Sequence, residues 1–253
     1  LRPKNSKPFS MPTHCPECGA VLSKENVGKD TSVALYCKNK DCPVKHLEGL
    51  IHFVSKKGMN IEELGEKSIE TFHYIGLITD FSSIFKLQKT DIQGLEGFGE
   101  KSADNILTSI QKARRVPLHR FLFALGIRHL GEQTAKDIAK HFESFDAIMK
   151  ATYDDLVLVE GVGEKVSESI VTYFGDEHTK IILSKLLPEI TIVSEIKKSE
   201  GVFSGKTFVI TGTLPTLTRD EAKEMIEIRG GKVSSSVSAK TTYLLLGEDA
   251  GSK

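Results

Sequence analysis

The stretch Glu96–Ala103, written EGFGEKSA, places two glycines around one phenylalanine and follows them with a Glu-Lys pair. Nearly the same letters, EGVGEKVS, return at Glu160–Ser167. Glycine tolerates a left-handed backbone and leaves room for a close approach, so each stretch predicts a tight turn at the start of a helix. One such turn is weak evidence of function. Its recurrence predicts a repeated structural unit.

Two further copies align on the second glycine of this turn, which makes four. The four segments read EELGEKSIETF, EGFGEKSADNI, RHLGEQTAKDI and EGVGEKVSESI, and their aligned glycines are Gly65, Gly99, Gly131 and Gly163. Behind each glycine, apolar residues recur with helical periodicity; in the second copy they are Ala103, Ile106, Leu107 and Ile110. Each unit is therefore predicted to be a helix, a tight turn and a second helix. A helical solenoid is an alternative arrangement for a repeat of this period.

Short leading helices are predicted ahead of three of the turns, with N-caps at Asn60, Thr90 and Thr152. The leading glycine of the turn is present as Gly97 and Gly161 in the second and fourth copies. Glu63 and His129 replace it in the first and third copies, which predicts a more structural role for those two turns.

The turns are candidate phosphate-binding elements. Free N–H groups at the start of a helix, together with the positive end of the helix dipole, favour an anion. Lys101 and Lys165, two residues after the aligned glycines, add positive charge. Contacts of this kind reach the nucleic-acid backbone and carry no sequence preference. Use of the turns for packing within the protein is the alternative.

All four cysteines of the chain lie near its start, at Cys15, Cys18, Cys37 and Cys42. Two close pairs separated by a spacer predict one structural Zn²⁺ held by four thiolates, with no open position for water. Two disulfides are an alternative interpretation of the same spacing. His14 and His46 flank the cysteines and are alternative ligands.

The last part of the chain has a different sequence pattern from the glycine repeat. From Lys206 the segments KTFVITGTL, KVSSSV and KTTYLLLG predict strands, and TRDEAKEMIEIRGG predicts a helix. This order indicates a small α/β domain with a central sheet.

Composition bounds the class of protein. With 253 residues, 39% apolar and 27% charged, the chain predicts two or three globular modules. No apolar run approaches the ~20 residues that cross a bilayer. The opening LRPKNSKPFSMP has no initiator Met and no signal-peptide pattern, so we expect a cytoplasmic protein without a membrane partner, of which this chain is a piece.

The net charge is zero, but its distribution along the chain is uneven. Residues 97–141 carry eight Lys and Arg against four Asp and Glu, whereas residues 142–200 carry six against twelve. Residues 1–58 are also basic, with ten against five. Local basic surface is what a phosphate backbone would meet. Solvated helix faces are the alternative explanation.

The glycine turns resemble the helix-hairpin-helix motif. The Thr-Gly pair after the first C-terminal strand, the RGGKV turn and the TTYLLLG strand resemble a BRCT domain. Such a domain normally continues to a final helix carrying a Trp; this chain has none, which predicts a truncated copy. This resemblance implies a phosphate pocket formed by Thr211, Gly212 and Lys253, with Arg219 nearby. A packing or dimerisation role is the alternative.

The order of the modules is similar to the C-terminal half of bacterial NAD⁺-dependent DNA ligases, most specifically in GFGEKSADNIL, LGIRHLGEQTAKDIAKHF and VEGVGEKV. The resemblance implies a multi-domain, mainly α fold. Its expected parts are a linker at 1–12, a four-cysteine zinc finger at 13–46, a helix-hairpin-helix lobe at 47–186, a linker at 187–203 and the start of a BRCT domain at 204–253.

The resemblance also implies a function. The parent enzyme would seal nicks between 3′-hydroxyl and 5′-phosphate ends during replication and repair, using NAD⁺ and Mg²⁺ or Mn²⁺ bound outside this segment. Expected partners are nicked duplex DNA and the nucleotidyltransferase and OB-fold domains of the same monomeric protein. These 253 residues contain no K-x-D-G lysine, so the segment alone is expected to be inactive and to have no catalytic residue. A non-catalytic DNA-binding or repair scaffold is the alternative.

Overall fold

The computed structural model describes residues 10–26, 33–194, 201–215, 217, 219–234, 236–238 and 240–248. Within these residues the chain forms a small cysteine-bearing hairpin, a helical lobe and a small α/β unit. No helix of the described part is long and apolar enough to cross a membrane.

The hairpin consists of β1 (Leu22–Asn26) and β2 (Val33–Cys37), which pair antiparallel with Leu22 opposite Cys37. The strand predicted in VALYC is confirmed. Helix α1 (Pro43–Val54) starts directly after Cys42, and proline at its first position suits a helix start because that N–H needs no helical partner.

Helix α1 joins the hairpin to the lobe without a break. Its far end carries Leu50, Phe53 and Val54 into the lobe core, where all three are buried. The module boundary predicted at residue 47 therefore falls inside a continuous helix. The reason is that the last cysteine, Cys42, is the N-cap of the same helix that carries the first core residues.

The lobe is built on one hydrophobic core, with Phe53, Phe72 and Phe121 among its fully buried side chains. In the second copy the predicted residues Ala103, Ile106 and Ile110 are buried, and Leu107 is half-buried. The helices of the lobe beyond α1 are α2 (Glu66–Tyr74), α3 (Phe81–Ile84), α4 (Lys89–Ile92), α5 (Glu100–Ala113), α6 (Leu118–Ala124), α7 (Glu132–Phe142), α8 (Phe145–Lys150), α9 (Tyr153–Val157), α10 (Glu164–Gly175) and α11 (Glu177–Leu186).

Two short parallel strands close the lobe, β3 (Arg115–Pro117) and β4 (Thr191–Val193). A 3-10 helix, Leu187–Glu189, leads into β4, and Ile190 and Ile192 pack against the core. The lobe thus extends to Val193, beyond the predicted end at residue 186. The first part of the predicted linker 187–203 is lobe because its apolar side chains have a core to cover.

The α/β unit has a three-stranded parallel sheet in the order β6-β5-β7. Its elements are β5 (Thr207–Thr211), α12 (Arg219–Ile228), β6 (Lys232–Ser234) and β7 (Tyr243–Leu246), as the sequence predicted. Phe208, Ile210, Ala222 and Ile226 form its small core between sheet and helix.

The three predicted N-caps have different outcomes. Thr152 is confirmed: its side chain accepts from the Asp155 N–H, and Asp155 accepts from the Thr152 N–H. Thr90 is wrong, because α4 is capped at Gln88, whose N–H donates to Asp91. Asn60 is also wrong, since it has φ 54° in a loop and no helix starts there. Left-handed backbone at Asn60 is incompatible with a helix start.

Candidate metal centre and nucleic-acid interface

The four cysteine sulfurs converge on one point. All four Sγ atoms lie within 4.8 Å of one another, and Cys18 and Cys37 are 3.5 Å apart. Four sulfurs bound at ~2.3 Å to one tetrahedral centre stand ~3.8 Å apart, so the cluster has the size that Zn²⁺ requires. The thiols are free of disulfides, and neither His14 nor His46 belongs to the cluster among the described residues. The arrangement favours a metal over two disulfides.

Local backbone geometry positions the first pair of cysteines. Gly19 adopts φ 70°, which lets its N–H donate to the Cys15 carbonyl and closes the first knuckle. Hydrogen bonds from the Ala20 backbone and the Asn39 side chain lower the pKa of the Cys18 thiol to about 6. Burial raises the pKa of the Cys37 thiol to about 11. Since a metal binds thiolates, binding at this cluster would release protons.

Side-chain contacts in the described part of the chain attach the cysteine module to the lobe besides α1. Lys40 forms an ion pair with Asp176, the N-cap of α11, with Nζ and Oδ1 2.5 Å apart. That ion pair holds the pKa of the Asp176 carboxyl below its usual range. The Arg128 guanidinium lies 4.5 Å from the centre of the Tyr36 ring. Because Arg128 belongs to the third glycine turn, the metal module and that turn are in direct contact.

The four turns share one backbone conformation. The leading position is left-handed in each: Glu63 has φ 65°, Gly97 83°, His129 66° and Gly161 83°. In the last three copies the next N–H donates back three residues, to Leu95, Ile127 and Val159. The replacement of glycine by Glu63 and His129 therefore does not mark a different turn. The backbone conformation gives no support to a separate structural class for the first and third turns.

The aligned second glycine does not adopt the left-handed backbone that glycine permits. Gly65, Gly99, Gly131 and Gly163 have negative φ and are the N-caps of α2, α5, α7 and α10. They are exposed, and a Cβ built at any of them meets no atom of the described residues within 4 Å apart from its own chain neighbours. Neither the backbone nor packing within the chain therefore requires glycine here. What a side chain would obstruct is an approach from outside.

These N-caps also leave the helix ends open. None of the four glycines provides a side-chain cap, so the first N–H groups of each helix lack that partner. Lys101 and Lys165 are exposed beside them, as predicted. The arrangement can receive an anion at four helix starts.

The glutamate that follows each aligned glycine would repel an anion at the start of the helix. In the second copy Lys89 pairs with Glu100 at 2.8 Å and with Asp104 at 3.0 Å, which raises the pKa of Lys89. In the third copy Lys136 and Lys57 both pair with Glu132, at 2.8 and 3.2 Å, and lower the pKa of its carboxyl. These lysines offset the negative charge at two helix starts.

Lys57 is a cation at the third turn that the repeat pattern does not reveal. The third copy has Gln133 where Lys67, Lys101 and Lys165 stand in the others. The structure brings Lys57, from the loop after α1, to the start of α7 instead. Nothing in the repeat itself indicates this contact, because Lys57 lies more than seventy residues before Gly131 in the chain.

In the α/β unit, the predicted phosphate-binding residues contact their own fold. Thr211 is buried, and its carbonyl accepts from the Gly247 N–H at 2.8 Å. A Cβ at Gly212 would lie 2.6 Å from the Glu248 carbonyl oxygen, so packing alone accounts for this glycine. Arg219 donates to the Ile210 carbonyl, and Lys253 lies outside the described residues. A phosphate pocket at these positions stays a prediction.

Comparisons with known proteins agree with these features. A model of the helix-hairpin-helix motif matches residues 120–183, and a model of the BRCA1 C Terminus (BRCT) domain matches residues 198–253. Proteins named DNA ligase match along 100% of the chain: those of Anoxybacillus flavithermus and Halalkalibacterium halodurans are 45% identical, and that of Bacillus subtilis 44%. The chain is homologous to a portion of the DNA ligases.

The chain spans 38% of the length of each of these relatives. The DNA-ligase homology includes the cysteine cluster and the first two glycine turns, which neither family model reaches. The resemblances to helix-hairpin-helix and BRCT sequences are thereby confirmed. The homology favours a ligase portion over a non-catalytic scaffold.

Proposed function

We propose that this chain is the part of a DNA ligase that holds duplex DNA by its phosphate backbone. The observation that carries the proposal is the set of four exposed glycine N-caps, which nothing inside the described part of the chain requires to be glycine. The chain is also homologous to DNA ligases along its whole length. An approaching DNA strand therefore best explains why these four positions carry no side chain.

The proposed contact is electrostatic. The N–H groups at the start of α2, α5, α7 and α10 would each face a phosphate oxygen, with Lys101 and Lys165 alongside. At the third turn Lys57 would take the place of the missing lysine. The turns meet phosphates rather than base edges, so binding would not depend on sequence.

We infer that the lobe contains four helix-hairpin-helix repeats. The matched range 120–183 includes the third and fourth turns only. The first and second turns have the same left-handed residue two positions before the N-cap glycine, which supports counting them as repeats. The first copy is the least regular, because α1 ends more than ten residues before Gly65.

We propose further that Cys15, Cys18, Cys37 and Cys42 hold Zn²⁺. The ion would fix the hairpin and the start of α1, and four thiolates leave it no vacancy for catalysis. A zinc finger near 13–46 and a BRCT domain from about 204 remain our proposed modules at the two ends of the chain.

The binding proposal predicts a steep salt dependence. If each of four turns neutralises one phosphate, the logarithm of the binding constant should fall against the logarithm of salt concentration with a slope of about −3.6 or steeper. Fluorescence anisotropy with nicked duplexes of unrelated sequence measures this. Equal affinities across sequences are expected. A shallow slope, or strong preference for one sequence, would contradict backbone binding.

The ligase proposal places the chemistry elsewhere in the parent protein. A DNA ligase would need NAD⁺, a divalent metal, and nucleotidyltransferase and OB-fold domains, all outside this chain and acting in the cytoplasm. Lys101 and Lys165 are exposed at helix starts, whereas a lysine that attacks a nucleotide needs a concave site to position that nucleotide. We therefore expect no radioactivity on the purified chain after incubation with NAD⁺ labelled in its adenylate. A covalent adenylate on any lysine would mean that the catalytic site has been misplaced.

A further inference from the structure

A cavity of about 220 Å³, which none of the four aligned glycines lines, lies at the far end of α5. It is bounded by the last turn of α5, by β3, by the start of α6 and by the loop 59–62. Its base is formed by Met59, Ala113 and Val116, which are buried in the lobe core. The cavity is therefore a fixed feature of the lobe.

The rim of this cavity is cationic. Lys112, Arg115 and Arg120 line it, against the single carboxylate of Glu62. Ser109 and Asn60 add hydrogen-bonding side chains. Lys112 alone would be explained as a favourable charge at the carboxyl end of α5. Arg115 on β3 and Arg120 on α6 add to this charge, and a cavity lined mostly by one sign of charge favours an anionic ligand.

Arg120 also fixes the wall of the cavity. Its Nε donates to the Gly58 carbonyl at 3.1 Å, and its Nη2 donates to the Lys56 carbonyl. These bonds tie the loop that continues into Met59 and Asn60 to α6. The same two carbonyls flank Lys57, the residue that reaches the start of α7. One arginine thus orders both the cavity wall and the lysine beside the third turn.

We propose that this cavity binds a phosphate group. The positive charges of Lys112, Arg115 and Arg120 favour phosphate oxygens, while the Nε and Nη2 of Arg120 remain bonded to the Gly58 and Lys56 carbonyls. The proposal deepens the proposed function and rests on it: the phosphate would belong to the DNA strand that the turns hold. Glu62 lies three residues before Gly65, so a strand gripped at the first turn would pass near the cavity.

The test compares two neutralised pairs in the whole chain loaded with zinc. Lys112→Gln with Arg115→Gln removes two charges from the cavity. Lys86→Gln with Lys150→Gln removes two exposed charges elsewhere on the lobe and is the matched control. Binding of a nicked duplex should weaken in the first pair only. The slope against salt should become shallower by about 0.9 for each phosphate that the cavity pair no longer neutralises.

A second arm uses inorganic pyrophosphate and the amide resonances of residues 109–120. Shifts in the wild-type chain that vanish in the cavity pair, together with the weaker DNA binding, support a strand phosphate. Shifts without any change in DNA binding would overturn the strand as ligand and leave a free phosphate compound in its place. If neither probe distinguishes the cavity pair from the control pair, the cavity is not a phosphate site. A wild-type chain that binds pyrophosphate but no DNA refutes the proposed function while supporting the cavity.

Discussion

Replacing Cys37 with serine should remove the metal from the chain and unfold the cysteine hairpin. Purified wild-type protein is expected to contain one Zn²⁺ per chain by elemental analysis, and the variant close to none. Serine supplies no thiolate, and the free energy of binding at a structural zinc site, on the order of 10–16 kcal/mol in small zinc modules, is the folding energy of the module. The hairpin has little else to hold it, because β1 and β2 are only five residues long each and none of their side chains whose burial is described is fully buried.

The helical lobe should survive this change. Its core residues lie on α1 and beyond, and the hairpin touches it through Lys40 with Asp176 and Arg128 with Tyr36. Far-UV circular dichroism should therefore show nearly unchanged helix content in Cys37→Ser. His14→Ala is the control, since His14 is exposed and outside the cluster. It should keep its zinc. A metal-free wild-type chain with two disulfides under non-reducing mass spectrometry would contradict the zinc site.

The repeat could be predicted from sequence because its signals are local. A glycine turn before a helical apolar pattern predicts a helix after Gly65, Gly99, Gly131 and Gly163, and in the structure a helix begins directly after each of them. Which residue of the turn is left-handed could not be predicted the same way. Glu63 and His129 adopt the backbone of Gly97 and Gly161 because the surrounding helices impose the turn. Tertiary packing there outweighs the preference of the single residue.

The charged contacts could not be predicted, because they join distant parts of the chain. Lys57 meets Glu132 only after α1 and α7 pack into one lobe, and Arg120 reaches back to the Lys56 carbonyl in the same way. The cavity likewise joins two distant stretches, residues 59–62 and residues 109–120. By contrast, the paired spacing of the cysteines encodes their convergence directly, since each pair closes its own knuckle.

Replacing Gly99 and Gly163 together with valine should greatly weaken DNA binding while leaving the fold intact. Both glycines have φ near −90° and open space where a Cβ would stand, so valine suits the backbone and its Cβ meets no packed neighbour among the described residues. Its branched side chain would instead occupy the path to the N–H groups of α5 and α10. Gly97 and Gly161 are unsuitable for this test, because valine at φ 83° would strain the turn itself.

The size of the effect follows from the hydrogen bonds that valine blocks. A hydrogen bond to a charged group contributes about 1.5–3 kcal/mol. Since about 1.4 kcal/mol is tenfold in affinity, each blocked turn should lower the affinity for DNA roughly tenfold to a hundredfold.

Gly49→Val with Gly175→Val is the matched control, because a Cβ at either of these glycines also meets nothing within 4 Å in the described structure, and both lie outside the turns. Both pairs should have nearly the melting temperature of the wild type, with only the small change that follows from the different helix propensities of glycine and valine. Anisotropy on several duplex sequences should then show an equal loss on each sequence for the turn pair alone. If the turn pair folds and binds as tightly as the wild type, the open glycines serve no DNA contact, and the repeat is a packing element.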